Sequence, residues 1–176
     1  MNGPEIRRLA GPEARAHVDG LAEVLLDCIA GGASVGYMAA TTRAEARRAF
    51  TAFAAEAAAG RRMLFAAFVG GRIVGTVQIV FAPMPNQPHR ADVAKLLVHR
   101  DARRQGVGRL LMERAEAAAE AEGRTLLVLD TASAEAERLY ARLGWTRVGS
   151  VPDYALLPDG APCATTFFYK RTGVRA

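Results

Sequence analysis

The stretch of sequence that decides the fold is Leu96-Leu97-Val98-His99-Arg100-Asp101-Ala102-Arg103-Arg104-Gln105-Gly106-Val107-Gly108-Arg109-Leu110-Leu111. Apolar residues typical of a strand lead into a turn rich in arginine and glycine, and that turn opens a helix. The first amides of a helix have no partners within it, and the helix dipole adds partial positive charge at the same end. Gly106 and Gly108 allow a bulky anion to approach this backbone. The pattern therefore favours a cradle for a diphosphate group.

Two better-known phosphate-binding patterns are not matched by this stretch. A dinucleotide-binding fold needs G-x-G-x-x-G, and a P-loop needs G-x-x-x-x-G-K-[ST]. On spacing alone a second interpretation stays open, in which the glycines only ease packing of the helix against the strand.

Hydrophobic periodicity predicts strands and helices on both sides of the stretch. One N-terminal helix begins at Pro12-Glu13 and ends at Gly31-Gly32, and a second begins at Thr42 with capping-box spacing and ends at Gly60. Gly70-Gly71 supplies the positive φ values of a tight hairpin, and Gly75 is consistent with a bulge. Strands are predicted over residues 5–10, 62–69, 73–81, 92–98, 124–130, 146–150 and 164–170, and further helices over residues 106–122 and 133–143.

Composition restricts the classes of function. The chain is 51% hydrophobic and 23% charged, no apolar run reaches the ~18–20 residues that span a bilayer, and the N-terminus lacks the apolar segment of a signal peptide. We therefore expect a cytoplasmic protein without a membrane partner.

The net charge of +5 comes from arginines scattered among glutamates, so we expect no nucleic-acid partner and note a weaker alternative, attraction of a polyanionic small molecule. Cys28 and Cys163 follow no metal-binding or disulfide pattern and are expected to be buried, inert thiols, with no metal site.

Two motifs carry a resemblance to a known family. Arg103-x-x-Gly106-x-Gly108 resembles the acetyl-CoA signature Q/R-x-x-G-x-G/A of the GNAT superfamily of N-acetyltransferases, after the fourth predicted strand. Downstream, Ala136-x-x-Leu139-Tyr140-x-x-x-Gly144-Trp145 resembles the A-x-x-L-Y-x-x-x-G-[FW] motif of the same family. The resemblance implies an α/β GNAT fold, with a mixed sheet of about six to seven strands and about four helices, in a single domain over residues 1–176.

One subgroup is similar over nearly the whole chain, the tabtoxin-resistance acetyltransferases. This resemblance implies transfer of acetyl to the amine of a small molecule such as an amino-acid-like toxin or antibiotic. It is carried by Gly31-Gly32-Ala33-Ser34-Val35-Gly36-Tyr37-Met38, Lys95-Leu96, Leu129-Asp130-Thr131, Pro152-x-Tyr154 and Pro158-Asp159-Gly160.

The family resemblance also implies which residues bind acetyl-CoA. The cofactor is expected to lie along the fourth strand like an extra strand, with the amides of Leu97 and Val98 as partners for the acetyl carbonyl and the pantetheine arm. Ser133 stands where the family often has Asn, which makes that contact a departure from the family pattern. The full set is Leu96, Leu97, Val98, Arg103, Arg104, Gln105, Gly106, Val107, Gly108, Arg109, Ser133 and Tyr140.

The expected chemistry is direct transfer in a ternary complex, because the motifs locate no Cys or Ser beside a base. An amine with a pKa of ~10 is mostly protonated at neutral pH and needs a base or a water relay. Asp92 and Asp130 are the candidates, and each has alternatives: binding the ammonium group, capping a helix for Asp130, or lying at a solvated strand end for Asp92. Tyr140 matches the family position that hydrogen-bonds the cofactor sulfur and protonates the leaving thiolate, with a core aromatic as the alternative.

The segment between the two N-terminal helices is expected to form a lid over the substrate. Ser34, Val35, Tyr37 and Met38 are the candidate contacts there, and a flexible surface loop is the competing interpretation. A non-catalytic acyl-CoA sensor and a nucleic-acid-binding module are the alternative functions. A homodimer is compatible with the fold, although no sequence feature indicates one.

Overall fold

The computed structural model describes residues 3–173, and in them seven strands form one mixed sheet with helices on both faces. This confirms the predicted α/β fold. In chain order the elements are β1 (Glu5–Leu9), α1 (Gly11–Ala16), α2 (Val18–Ala30), α3 (Arg43–Ala58), β2 (Arg62–Val69), β3 (Arg72–Phe81), β4 (Arg90–Val98), α4 (Val107–Ala121), β5 (Leu126–Thr131), α5 (Ala134–Arg142), β6 (Thr146–Leu156) and β7 (Pro162–Arg171).

The strands lie in the order β1-β2-β3-β4-β5-β7-β6. Every neighbouring pair is antiparallel except β4 and β5, which run parallel. These two strands pair only at Arg90–Leu126, Ala91–Leu127 and Asp92–Val128. Beyond that point β5 continues along β7 and β4 continues along β3, so the sheet is split between them.

Two hydrophobic cores cover the two faces of the sheet. On one face α4 packs over the central strands, with Leu111 and Met112 fully buried among residues such as Val77, Ile79 and Leu127. On the other face α2 and α3 bury a second apolar set. The continuous run of buried side chains along β2, which is apolar on both faces, allows helices to pack on both sides.

Glycine decides how closely α4 approaches the sheet. A Cβ at Gly75 in β3 would lie 3.0 Å from Leu111 Cδ1 and 3.1 Å from Val107 Cγ1, at the beginning of α4. The register of β2 and β3 also shifts next to this residue, between Ala67 and Phe68. Gly75 therefore lies at a bulge, as predicted, and it also makes room for the helix.

Two predicted elements differ from the structure. The first predicted helix is divided into α1 and α2 at His17, whose ψ of 9° leaves helical geometry while its ring packs edge-on against Phe68 at 5.2 Å. This division gives five α-helices within residues 3–173 where about four were expected. β6 runs on to Leu156 past Pro152, because an edge strand tolerates proline, and its pairing with β7 shifts register between Val151 and Ala155.

One buried carboxylate ties α4 to the far part of the sheet. Glu116 on α4 accepts hydrogen bonds from Trp145 Nε1 at 2.7 Å and from Lys170 Nζ at 2.5 Å. Lys170 lies on β7 and also donates to the backbone oxygen of Leu143 at 2.7 Å. The contacts bridge the split between β4 and β5 from one face. Within the described residues, none of the helices has the length and apolar character needed to cross a bilayer.

Candidate active site

The split between β4 and β5 opens a cleft, and the end of β4 that lines the cleft has no strand paired with it on that side. His99 N–H donates to Val74 O at 2.8 Å, and Leu97 lies opposite Thr76. Because successive residues of an antiparallel strand direct their backbone groups alternately to the two sides, those of Leu97 face β3 and those of Leu96 and Val98 face the cleft. The Leu97 amide, which was expected in the cleft, is therefore directed at the neighbouring strand instead, and its side chain is buried under α2.

A bulge in β4 lies just before this wall. The register with β3 shifts between Thr76 and Gln78, and Lys95 adopts a φ of 53°, in the left-handed region that non-glycine residues rarely occupy. The extra residue bends β4 at the place where β5 leaves it.

The turn after β4 forms the predicted anion cradle. Arg104 and Gly106 have φ values of 61° and 78°, and α4 begins at Val107 without a side-chain cap. The first amides of α4, those of Val107, Gly108 and Arg109, therefore have no intrahelical partner. A Cβ at Gly106 would meet no atom within 4 Å, so the space over these amides is open.

The arginines and the glutamine of this turn have different surroundings. Arg103 donates from Nε to Val98 O at 3.2 Å and so supports the loop from behind. Gln105 donates to the backbone oxygen of Asp101 at 2.8 Å, and Arg109 lies 3.4 Å from Glu113. Arg104 is exposed and makes no ion pair within the described part of the chain, so its guanidinium is available to an anion.

The start of the turn is fixed to α2 by Asp27. This carboxylate accepts hydrogen bonds from the Arg100 backbone N–H at 2.9 Å and from Arg100 Nε. Burial alone would raise the pKa of Asp27, but the hydrogen bonds from Arg100 and the nearby His99 outweigh burial and lower the pKa below its ordinary value. The charge of Asp27 thus holds the base of the cradle in place.

Tyr140 of α5 lies under the cleft. Its ring is 5% exposed and packs against Trp145 and Phe168, with centroids 6.0 Å and 5.7 Å away. Its hydroxyl has no hydrogen-bond partner among residues 3–173. Burial, and then the nearby Asp130 carboxylate, raise the pKa of Tyr140 well above its ordinary value. The phenol therefore keeps its proton and acts as a hydrogen-bond donor.

The two candidate carboxylates occupy different places. Asp130 lies beyond the last β4–β5 pair, is exposed, and accepts a hydrogen bond from Thr165 Oγ1 at 3.2 Å. Asp92 lies in that last pair and is bound to Arg90 Nη1 at 2.6 Å. Of these two carboxylates, only Asp130 affects the pKa of Tyr140 and the pKa of Lys95. The structure therefore brings Asp130, Tyr140 and Lys95 together and leaves Asp92 beside Arg90.

Ser133 caps α5. Its Oγ accepts from Ala136 N at 3.3 Å, which leaves its hydroxyl hydrogen free to donate to another group.

The predicted lid residues lie between α2 and α3 and rest on the β6–β7 hairpin. Ser34 Oγ donates to Leu156 O at 3.2 Å and accepts a weak contact from Cys163 Sγ at 3.6 Å. Val35 and Tyr37 pack against the core under α2, and Met38 is 42% exposed. Cys163 is partly buried, not buried as expected, because it faces this lid, whereas Cys28 is fully buried; neither forms a disulfide.

Sequence reasoning missed two basic residues of this region. Lys95 places Nζ 5.7 Å from the centre of the Tyr37 ring, and Arg62 is near enough to lower the pKa of Lys95. The available signal was compositional, because Lys95 and Lys170 are the only lysines in a chain whose other basic residues are arginines.

Comparisons with known proteins agree with this geometry. A model of the acetyltransferase (GNAT) family matches residues 32–145. The structure of yncA from Salmonella typhimurium, described as an acetyltransferase with its cofactor acetyl-CoA, has a TM-score of 0.80 at 16% identity, covering 99% of this chain and 97% of that chain.

Two further solved structures share the fold. An N-acetyltransferase from Staphylococcus aureus Mu50 has a TM-score of 0.79 at 20% identity, covering 97% of this chain and 99% of that chain. A ribosomal-protein-alanine N-acetyltransferase from Brucella melitensis has a TM-score of 0.78 at 18% identity, covering 95% of this chain and 99% of that chain. At these identities the likeness shows a common fold and leaves the acceptor open.

Proposed function

Because the chain belongs to the acetyltransferase (GNAT) family, we propose that it transfers acetyl from acetyl-CoA to the amino group of a small molecule. The observation that carries the proposal is the juxtaposition of three features at one cleft. The first is the end of β4, which has no strand beside it on the cleft side, and the second is the set of uncapped amides at the start of α4. The third is the hydroxyl of Tyr140, near Asp130, which has no hydrogen-bond partner among the described residues.

The residues present fit acetyl-CoA. An extended chain with amide groups suits the cleft-facing backbone of Leu96 and Val98, which has no strand beside it. A diphosphate suits the amides of Val107, Gly108 and Arg109, with Arg104 as a counter-charge and Gly106 leaving the approach clear. Ser133 has a hydroxyl hydrogen to donate to a carbonyl at the other side of the cleft. When bound, acetyl-CoA supplies a thioester-activated acetyl group.

Asp130 is the carboxylate best placed to bind the acceptor amine. It is exposed where the strands part, and its partner Thr165 is a neutral hydroxyl, so its charge is not cancelled by an adjacent cation. Asp92 has such a cation in Arg90. We therefore assign the ammonium-binding role to Asp130. Only about 1 in 1,000 molecules of an amine with a pKa of ~10 is neutral at pH 7, so the rate is expected to rise with pH.

Tyr140 stabilises the leaving sulfur by donating a hydrogen bond. Its raised pKa lies far above the ~8.5 of a thiol, so net proton transfer from the phenol to the thiolate is uphill. We propose this hydrogen-bonding role, in which the proton stays on the phenol oxygen, and the expectation that Tyr140 protonates the thiolate stays a prediction.

The lid and the subgroup resemblance both bear on the identity of the acceptor. Tyr37 and the segment around Gly36 approach Lys95 on the β4 side of the cleft, which supports a small acceptor. The resemblance to the tabtoxin-resistance acetyltransferases supports an amino-acid-like toxin or antibiotic, and a resistance role for the protein.

The test combines calorimetry with acetyl-CoA and thiol release with a panel of amines. Binding together with amine-dependent thiol release supports the proposal, and mass spectrometry of the product distinguishes an acetyl amide from an ester. Binding without release from any amine would identify the alternative, a non-catalytic acyl-CoA sensor. An absence of binding at millimolar acetyl-CoA would refute the cradle.

The carboxylate assignment is tested by Asp130→Asn and Asp92→Asn side by side. Both changes remove one negative charge and keep the side-chain shape. We expect Asp130→Asn to lower kcat/KM for the amine at least ten-fold, or ~1.4 kcal/mol, and to have the larger effect of the two. A larger loss in Asp92→Asn would reverse the assignment.

A further inference from the structure

Lys95 occupies an unusual backbone position at the edge of the candidate acceptor site. The bulge of β4 holds it at a φ of 53°, and the lid lies against its side chain. Its Nζ is 5.7 Å from the centre of the Tyr37 ring and 3.6 Å from the position that a Cβ on Gly36 would take. A Cβ at residue 36 would be in ordinary van der Waals contact with this ammonium group, so the backbone of the lid lies directly against it.

The ammonium group of Lys95 has no counter-charge bound to it among residues 3–173. The other lysine, Lys170, binds Glu116 and the backbone oxygen of Leu143. Lys95 is partly buried, yet it makes neither an ion pair nor a hydrogen bond with any residue between 3 and 173. Burial first, and then the charge of Arg62, lower the pKa of Lys95, and Asp130 opposes them only in part. A partly buried cation without a counter-charge is unfavourable unless a ligand supplies one.

The groups around Lys95 add further donors. Arg62 lies over the Phe53 ring at 4.4 Å, donates to Gln78 Oε1, and has Glu56 at 3.9 Å. Gln78 is fully buried, and its Nε2 has no hydrogen-bond partner among the described residues. Arg62 has its own carboxylate in Glu56, whereas the anion that acts on Lys95 is Asp130 on the β5 side of the cleft.

We propose that Lys95 is a specificity-determining residue that binds an anionic group of the acceptor, while Asp130 across the cleft binds the acceptor's ammonium group. The proposal rests on the proposed function, because the acceptor amine must lie beside Asp130. A site with Lys95 and Asp130 on opposite sides selects acceptors that carry both a negative and a positive charge, such as free α-amino acids, over amines that carry only a positive charge. The Tyr37 ring holds the ammonium of Lys95 in place through a cation–π contact.

The kinetic test compares an α-amino acid with its methyl ester. The panel is the free α-amino acids and their methyl esters, and the best acceptor pair is then used with Lys95→Met, Lys95→Arg and Arg48→Met. Methionine matches lysine in being unbranched, so it meets the same backbone strain at residue 95. Arg48 is 71% exposed on α3, and its loss lowers the net charge equally.

We expect Lys95→Met to reduce the ratio of kcat/KM for the acid to kcat/KM for the ester at least ten-fold. This comparison between variants cancels the different reactivity of the two amines. Lys95→Arg, which retains the charge, should keep the ratio within about three-fold of the unmodified protein, since charge is the main requirement. Arg48→Met should leave it unchanged. An unaltered ratio in Lys95→Met, or an equal fall of the ratio in Arg48→Met, would overturn the proposal.

A second measurement does not depend on turnover. Reductive methylation with ¹³C-formaldehyde labels both lysines and keeps their charge, and the loss of one signal in Lys95→Arg assigns Lys95. Adding the amino acid should shift the Lys95 signal saturably and leave Lys170 in place, whereas the methyl ester should shift neither.

This second measurement also separates the two proposals. If acetyl-CoA binds and no amine is acetylated, the proposed function fails, and the shift of the Lys95 signal still decides whether an anion binds there. If amines are acetylated and the Lys95 signal responds equally to acid and ester, or to neither, the role of Lys95 fails and the proposed function stands.

Discussion

A negative charge at the start of α4 should weaken acetyl-CoA binding at least thirty-fold without unfolding the protein. Gly106 and Gly123 lie at the two ends of this helix, with φ values of 78° and 73°, and a Cβ at either would meet no atom within 4 Å. Gly106→Glu and Gly123→Glu therefore introduce the same side chain, the same charge and the same left-handed strain. They differ in which end of the helix they occupy.

The expected free energies distinguish an effect on acetyl-CoA binding from an effect on protein stability. An L-residue in the left-handed region costs about 1–2 kcal/mol in either variant. The helix dipole then stabilises the glutamate at the first end and destabilises the one at the second by about 0.3–1 kcal/mol each, so Gly106→Glu should be the more stable variant. Repulsion of two unit charges is about 1 kcal/mol at about 4 Å in bulk water. A diphosphate with two charges thus loses about 2 kcal/mol, or roughly thirty-fold in Kd, before any steric exclusion.

The assays are urea unfolding and calorimetry with acetyl-CoA. Gly106→Glu should retain at least the stability of Gly123→Glu and bind acetyl-CoA at least thirty-fold more weakly than that control. Affinities in both variants equal to that of the unmodified protein would refute the placement of the diphosphate at this helix terminus. Weak binding in both would attribute the loss to strain and not to charge.

Three further predictions follow from single side chains. Tyr140→Phe should lower kcat about ten-fold. The Kd of acetyl-CoA and the urea midpoint should change little, because the hydroxyl has no hydrogen-bond partner in the described part of the chain. An unchanged kcat in steady-state kinetics would remove the proposed role of the hydroxyl. Asp27→Asn should destabilise the protein by about 1–2 kcal/mol at pH 7. Because the pKa of Asp27 is lowered on folding, this difference should shrink as pH falls below the ordinary carboxyl value, and a gap that is constant in urea titrations down to pH 3 would contradict it. Lys95→Met should raise the urea midpoint at pH 7, since the lowered pKa of Lys95 means that its protonated form opposes folding, and the gain should vanish above the ordinary lysine value; a loss of stability at pH 7 would contradict this sign.

Much of the fold could be predicted because its signals are local. The predicted strand 62–69 has the bounds of β2, and the capping box of Thr42 and Glu45 is present at the start of α3. Gly70 and Gly71 adopt the positive φ values of the expected hairpin. Each of these rests on neighbouring residues, whose preferences do not depend on distant contacts.

The structure differs from the sequence-based predictions where contacts between residues far apart in the chain determine the local conformation. The break at His17 follows from packing on Phe68, which is far away in sequence. The direction of the Leu97 amide depends on its register with β3, and hydrophobic patterning does not specify that register. Lys95 was missed as a site residue because a lysine in a predicted strand is ordinarily interpreted as a surface residue. Its partly buried ammonium group and its position at the bulge of β4 are evident only in the structure.

The short β4–β5 contact divides the sheet into two antiparallel halves, which are joined by three paired residues and by the hydrogen bonds of Glu116. A ligand bound along the separated edges would add contacts between the halves, so the stability of their association would depend on the ligand concentration. Saturation at a hundred times Kd would add about 2.7 kcal/mol to the resistance of the fold. Persistence against proteolysis would then track the supply of the activated acyl donor.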